Sequence, residues 1–416
     1  MNKIYYKTIL VVLLFALGLL LRVYNFPNRI NFGLEQGITL TTTAEYLNGH
    51  FSLLGLPAVQ RTTSTGHQIF SAPIYNYFLM PFMLVFGYNP IILTYTALFI
   101  NLITGAMLYL LIKKLSGQRV AIFAAFLYLF DMTMISQSLT IWILNPMPLI
   151  GLVSMYLIIK NHENITPKIS LYLGLLSGLA LGLEYMYLFT IILLTIYIVY
   201  RSKQRIFDFG IFILGLLISL APTVIFDLRH DWYHMRTLWQ YLLDVINNPG
   251  QSKLSIYHFY QYFPLAFYLG ALVLDKIFKS SKMIAAVVMC IYLIFQFKTG
   301  EFSFTQAVGT AKFMNTPKMM QVAKAIADDN STNFNVVYMS QAEHRAYSLR
   351  YILIYVFGVK PMEIDQYPST KHLYVLAASD RDMSKDIPWE ITSTNLSSRG
   401  IIYRTDDSRF VVYKYE

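Results

Sequence analysis

Nine runs of apolar residues cross the chain, at about 8–23, 91–112, 119–137, 140–159, 169–183, 185–200, 207–226, 258–277 and 282–297. Each approaches the roughly 20 residues an α-helix needs to cross the hydrocarbon of a bilayer. The stretch 169–200 is continuous in hydropathy, but a single helix of that length would run about 48 Å at 1.5 Å per residue. Gly174, Gly178 and Gly182 precede Glu184 inside it. A hairpin turning at Glu184 keeps that charge at the interface and avoids a cost of about 2.5–3.5 kcal/mol at mid-depth. Segment 73–88 is short and interrupted by Pro81. It predicts an interfacial or re-entrant helix rather than a span.

The polar residues at the ends of the runs fall into two sets. Plain Lys and Arg mark 113–118, 201–206 and 278–281, and 160–168 contains two Lys as well. Acids, amides, His and Arg mark 24–90, the regions around 138 and 184, and 227–257. The two sets alternate from one run to the next. Basic loops stay in the cytoplasm, so a cytoplasmic N-terminus puts the mixed set, and everything after 298, outside. The basic Met1–Lys7 leads into the first apolar run with no small-residue cleavage site before Arg22, which reads as an uncleaved first helix. The location implied is the plasma membrane.

After Lys298 the pattern changes. Residues 315–327 predict a helix with Asn315 or Thr316 as N-cap and Pro317 in the first turn. Strands are expected at 334–339 and 372–377 and a helix at 344–357; 387–392 and 409–415 complete a small α/β domain. The fold class is therefore a polytopic α-helical membrane protein of about nine transmembrane helices. It has a long first outer loop with interfacial helices and a small C-terminal α/β extracytoplasmic domain. The boundaries expected are 1–298 and 299–416, with outer loops 24–90 and 227–257.

Composition agrees. Of 416 residues, 56% are hydrophobic and 13% charged, against about 25% charged in soluble domains. The net charge of +10 lies in the membrane part: 13 basic and 13 acidic residues follow Lys298, leaving 20 and 10 in residues 1–298. A basic excess on helix flanks follows membrane sidedness and argues against nucleic acid as a partner. Cys290 is the single cysteine, which excludes an internal disulfide and a cysteine metal site. No phosphate-binding Gly-x-x-x-x-Gly-Lys-Ser/Thr loop, His-Glu-x-x-His or Gly-x-Ser-x-Gly is present.

Candidate chemistry gathers on the outer face. Loop 24–90 is long for a connection, which marks it as functional. Glu35, in Asn31-Phe-Gly-Leu-Glu-Gln-Gly37, is a candidate base, or a first-turn Glu that favours the helix dipole. His67 and Arg61 are candidate phosphate donors, or ordinary solvated loop residues. In Phe226-Asp-Leu-Arg-His-Asp-Trp232, Asp227 can orient Arg229, leaving a guanidinium and the His230 imidazole to grip a phosphate. The alternative is an arginine snorkelling among headgroups. Asn145, beside Pro146 and Pro148, and Glu184 are polar breaks at the same level, readable as support or as helix punctuation.

The order of these motifs resembles the C-type glycosyltransferases, membrane enzymes that use polyprenyl-phosphate-linked sugars. Protein O-mannosyltransferases and lipid A aminoarabinose transferases belong there. The matching residues are Leu21-Arg22 with Phe32-Gly-Leu-Glu-Gln36, Gly66-His67 through Ala72-Pro-Ile-Tyr-Asn-Tyr77, Phe86-Gly87, Lys113-Lys-Leu-Ser-Gly117 and Phe226-Asp-Leu-Arg-His230. The last looks like a bacterial branch. Leu34 stands where the acidic-pair form has its first acid.

The resemblance implies an outward-facing site and inverting transfer from a polyprenyl-phosphate sugar donor to a lipid, glycan or protein acceptor. Glu35 becomes the presumed base, Arg229, His230, His67 and Arg61 the donor-phosphate set, and Asp227, Asn145, Glu184, Gln36 and Tyr75 supporting or acceptor-binding residues. No metal ligand is assigned, and a divalent cation is left open. Two other readings stand beside it: a transporter or flippase of lipid-linked sugars, and a catalytically inactive membrane scaffold.

Overall fold

The structure is a computed structural model that describes residues 2–247, 255–299, 303–307, 313–329, 331–339 and 344–416. The membrane part begins with α1 (Asn2–Val23). The first outer segment then folds into α2 (Phe26–Arg29), α3 (Leu34–Leu47), the hairpin β1 (Pro57–Thr62) and β2 (Gln68–Phe70), and α4 (Ile74–Phe86). The helices α5 (Pro90–Ser116), α6 (Gln118–Leu129), α7 (Met132–Ser138), α8 (Met147–Lys160), α9 (Pro167–Leu183), α10 (Leu188–Arg201), α11 (Arg205–Ser219) and α12 (Ala221–Arg229) follow. Beyond them come α13 (Tyr233–Asn247), α14 (Phe263–Ser280) and α15 (Lys282–Thr299).

Helices stand at all nine predicted positions, with local corrections. Run 119–137 is α6 and α7 bent by 64°, and run 207–226 is α11 and α12 bent by 78°. Pro222, in the first turn of α12, cannot donate into the turn before it, which breaks the ladder there. At the other bend Asp131 caps α7, accepting from Met134 N at 3.0 Å. Run 140–159 becomes helical only at Met147, and run 258–277 only at Phe263, after a 3₁₀ turn over Ile256–Tyr262. By length and apolarity alone, one helix among the described residues, Pro90–Ser116, can cross a bilayer, or up to three if each bent pair is one span. Several others are apolar but shorter, so the count of nine is not reached by this measure.

Long apolar helices need specific contacts to choose neighbours, because lipid is as apolar as their side chains. Small residues and buried polar groups supply them here. A Cβ on Gly174 would lie 2.1 Å from Phe212 O, and one on Gly178 2.4 Å from Leu216 O, so α9 and α11 touch backbone to backbone. Gly178→Leu is expected to cost about 1–3 kcal/mol by overpacking, read as a lower thermal midpoint of the purified protein. An unchanged midpoint would contradict this packing. Arg22 is fully buried and stitches three helices: its guanidinium donates to Asn101 Oδ1 at 2.8 Å, Leu129 O at 2.8 Å and Gly18 O at 2.9 Å.

The contacts keep the two polar sets apart. On one face, Asn31 N donates to Leu139 O at 3.0 Å and Ala72 N to Gly182 O at 3.0 Å. Ser64 meets Asp244 there, and Glu184 meets His258. On the other face Arg119 pairs with Asp275, Lys279 with Asp275 at 2.8 Å, and Ile165 bridges Ser202. The segments predicted outside therefore touch one another, and so do those predicted inside.

The C-terminal part comprises α16 (Thr316–Asp328), β3 (Phe334–Tyr338), α17 (Tyr347–Tyr351, continued by a π-helical turn over Ile352–Val356), β4 (His372–Ala378), α18 (Trp389–Thr392), β5 (Arg399–Arg404) and β6 (Phe410–Tyr415). Asn315 caps α16 by accepting from Lys318 N at 2.9 Å. The sheet order is β3-β4-β6-β5, with β3 and β4 parallel and the other pairs antiparallel. Successive strand residues face opposite sides. Val336, Tyr338, Tyr374, Leu376 and Val412 join the main core, while Val337, Leu373, Val375 and Ala377 form a second one. The helix 344–357 is replaced by the short α17 and its π turn, and β5 was not expected.

Candidate functional site

Glu35 sits in the first turn of α3, exposed, on a helix fixed from three directions. At its start, Gly33 N donates to Gln36 Oε1 at 3.0 Å. From below, Asn76 Nδ2 on α4 donates to Thr39 O at 3.2 Å and Thr43 Oγ1 at 3.0 Å. From the C-terminal domain, the backbone of Ser348 lies so close that a Cβ on Gly37 would sit 2.6 Å from its nitrogen. This anchoring fixes where α3 presents the Glu35 carboxylate.

The second cluster forms where the hairpin meets α13. Ser64 N and Oγ donate to the Asp244 carboxylate at 2.7 and 2.8 Å, and Gln240 Nε2 donates to it at 2.9 Å. The Ser64 backbone N–H is the main reason the Asp244 carboxyl stays below the usual range. At the base of the hairpin, Phe70 O accepts from His234 Nε2 at 2.9 Å and from the Tyr185 hydroxyl. Between hairpin and helix lies a cleft of about 320 Å³ lined by Thr65, His67, Tyr233, Arg236, Thr237 and Gln240. His67 meets the Tyr233 ring edge-on at 5.6 Å. Tyr233 meets Phe226 at 6.5 Å, and Phe226 stacks on His230 at 4.1 Å. An aromatic strip thus joins the two histidines. One guanidinium, one imidazole and several hydroxyl and amide donors converge on the cleft, a donor set that suits a phosphate.

The remaining candidates have other partners. Asp227 does not orient Arg229: its buried carboxylate accepts from His234 N at 2.7 Å and Met235 N at 3.2 Å, which caps α13. Arg229 is exposed and has no ion pair among the described residues, and it is not part of the cleft lining. The His230 ring nitrogen Nδ1 is 2.8 Å from Phe226 O, which leaves Nε2 to face outward. Asn145 is buried and fully engaged, with Tyr75 Oη at 3.0 Å, Trp142 N at 2.7 Å and Gln137 O at 2.9 Å, so Asn145 and Tyr75 hold the scaffold. Gln36 is buried and spent on the start of α3. Glu184 accepts from Met186 N at 3.1 Å and lies 3.2 Å from His258 Nδ1, an electrostatic contact whose angles fall short of a hydrogen bond. The Arg61 side chain lies outside the described residues. Among the described residues no group of three or more His, Cys, Asp or Glu is placed to hold a metal ion.

Arg236, Tyr233, Thr237 and Gln240 were not anticipated. Their signal was the helical period of α13. Trp232 leads into it, and Met235, Trp239 and Ile246 stand exposed along one stripe, while Arg236, Thr237 and Gln240 sit on the other side. This stripe, with Trp239 on it, has the pattern of an amphipathic interfacial helix.

The family described as Dolichyl-phosphate-mannose-protein mannosyltransferase matches residues 71–226. That stretch runs from the foot of the hairpin to α12 and omits both Glu35 and α13. The crystal structure of ArnT from Cupriavidus metallidurans in the apo state aligns with a TM-score of 0.60 at 11% identity, covering 97% of each chain. The structure of ArnT from Cupriavidus metallidurans bound to undecaprenyl phosphate aligns with a TM-score of 0.58 at 12% identity, again covering 97% of each. No curated protein sequence matches. The chain has the fold of ArnT over nearly its whole length.

Proposed function

We propose, starting from its resemblance to the C-type glycosyltransferase superfamily, that this chain moves a sugar from a polyprenyl-phosphate carrier to an acceptor at the outer membrane face. The observation that carries this reading is the cleft where His67 and Arg236 converge; Glu35 lies outside its lining, on α3 of the same first outer segment that carries His67. The undecaprenyl phosphate held by the ArnT structure supports a lipid phosphate as the donor class. The Trp239 stripe of α13 rests in lipid, which sets the cleft at headgroup level, where a carrier with its tail in the bilayer presents its phosphate. Arg236 and His67 grip that phosphate, and Arg229, outside the lining, meets the incoming carrier.

The chemistry balances without a cofactor. Glu35 takes the proton of the acceptor hydroxyl or amine. The acceptor atom bonds to the anomeric carbon from the side opposite the phosphate, and the anomeric C–O bond breaks. The electron pair leaves on the carrier phosphate, where the cationic donors stabilise it, and the sugar inverts. A phosphate leaving group needs no second carboxylic acid, unlike the leaving alkoxide in glycoside hydrolysis. The N-terminus is cytoplasmic in this reading and the C-terminal domain extracytoplasmic, in the plasma membrane.

Purified protein in liposomes, supplied with radiolabelled polyprenyl-phosphate sugar and envelope lipid and glycan acceptors, tests this. Labelled acceptor is the expected product. Carrier translocation without labelled acceptor would favour a flippase, and neither outcome would leave a scaffold.

A further inference from the structure

A second open cleft, about 560 Å³ in volume, lies on the C-terminal domain. Arg345, Glu363, Ile364, Asp365 and Trp389 line it. The volume falls in the range of small-molecule sites, roughly 300–1,000 Å³. Trp389 is 53% exposed, yet its ring is held edge-on by Tyr367 at 6.0 Å. Tyr367 is itself buried and donates to Val336 O at 2.8 Å. A large aromatic face is therefore both rigid and open.

Its charges are largely matched. Arg345 Nε lies 3.6 Å from Glu390 Oε1, and Lys360 Nζ lies 2.9 Å from Glu363 Oε1. Asp365 makes no ion pair among the described residues. A near-neutral wall is poorly suited to a phosphate or a strongly basic peptide. It suits a ligand rich in hydroxyls: carboxylates accept from them, a guanidinium donates to them, and the C–H face of a sugar ring stacks on the electron-rich face of an indole.

Location gives the cleft a purpose. Arg345 directly precedes the segment whose Ser348 backbone abuts Gly37, two residues beyond Glu35. Burial raises the carboxyl of Glu45 on the same helix α3; His50 opposes the shift, and Glu363, across the domain junction, adds a smaller push upward. The cleft therefore opens beside the helix that presents the candidate base.

We infer that this cleft receives an uncharged sugar residue of a glycan acceptor, stacked on Trp389 and hydrogen-bonded by Asp365, Glu363 and Arg345. The inference rests on the transfer reading and narrows its acceptor class.

The test is equilibrium binding to the full-length protein in micelles, with no donor present. The probes are maltotriose and triacetylchitotriose, compared with trigalacturonate and pentalysine. At least one neutral trisaccharide is expected to bind; Trp389→Ala weakens it about tenfold, as the loss of one aromatic stack requires, while Trp389→Phe retains most of the affinity. No binding of either neutral sugar, affinity unchanged in Trp389→Ala, or preference for pentalysine or trigalacturonate would each overturn the inference. The two readings fail separately. Protein that transfers sugar but binds neither trisaccharide rejects the cleft alone. Protein that binds a trisaccharide through Trp389 but transfers nothing rejects the transfer reading alone.

Discussion

Glu35→Gln is expected to lower kcat for sugar transfer by about 10²–10⁴-fold, the usual contribution of a positioned general base. Donor affinity should stay unchanged. Gln keeps the size of the side chain, and the start of α3 is held by the Gly33–Gln36 hydrogen bond rather than by Glu35. The loss of a first-turn carboxylate costs only about 0.3–1 kcal/mol of helix-dipole stabilisation, so the folded protein survives. Steady-state transfer with separately measured donor binding checks this. Unchanged kcat would remove Glu35 from the chemistry, and a large fall in thermal midpoint would assign it to the scaffold.

Arg236→Ala is expected to raise the donor Kd by about 10- to 100-fold, since a hydrogen bond to a charged group contributes roughly 1.5–3 kcal/mol. Arg229→Ala should have a smaller effect, because it sits outside the cleft lining. Arg236 is exposed and makes no ion pair among the described residues, so its removal leaves no buried charge behind. Titration of polyprenyl phosphate against both variants separates these expectations. Equal donor affinity in Arg236→Ala and the parent protein would remove the cleft as the phosphate site.

The helices of residues 1–298 were legible because their apolar runs are long and sharply bounded, although most fall short of bilayer thickness, and the hairpin at Glu184 because a charge has to reach the interface. The first C-terminal helix was legible from its cap chemistry, and β3 and β4 from their β-branched and aromatic runs. The bends were less visible. Pro222 is a local signal for the one at Leu220, but the one near Asp131 depends on a cap seen only in the fold.

The site was legible only in part, for a physical reason. Glu35 and His67 announce chemistry by residue type. Whether an amide or acid is functional depends on distant partners, and Tyr75 and Gln137 claim Asn145 from positions that sequence spacing does not connect. Asp227 was assigned to Arg229 as its nearest cation, whereas the folded chain gives it the N-terminus of α13. Taken as a connection, segment 227–257 hides the helical period that places Arg236 and His67 on one cleft.

Photo-crosslinking with a polyprenyl phosphate bearing a diazirine next to its phosphate tests the central claim most directly. Peptide mapping should find the label on residues 64–67 and 233–240, the two walls of one cleft. Label concentrated instead at 113–119 or 160–168, on the opposite face, would contradict the account.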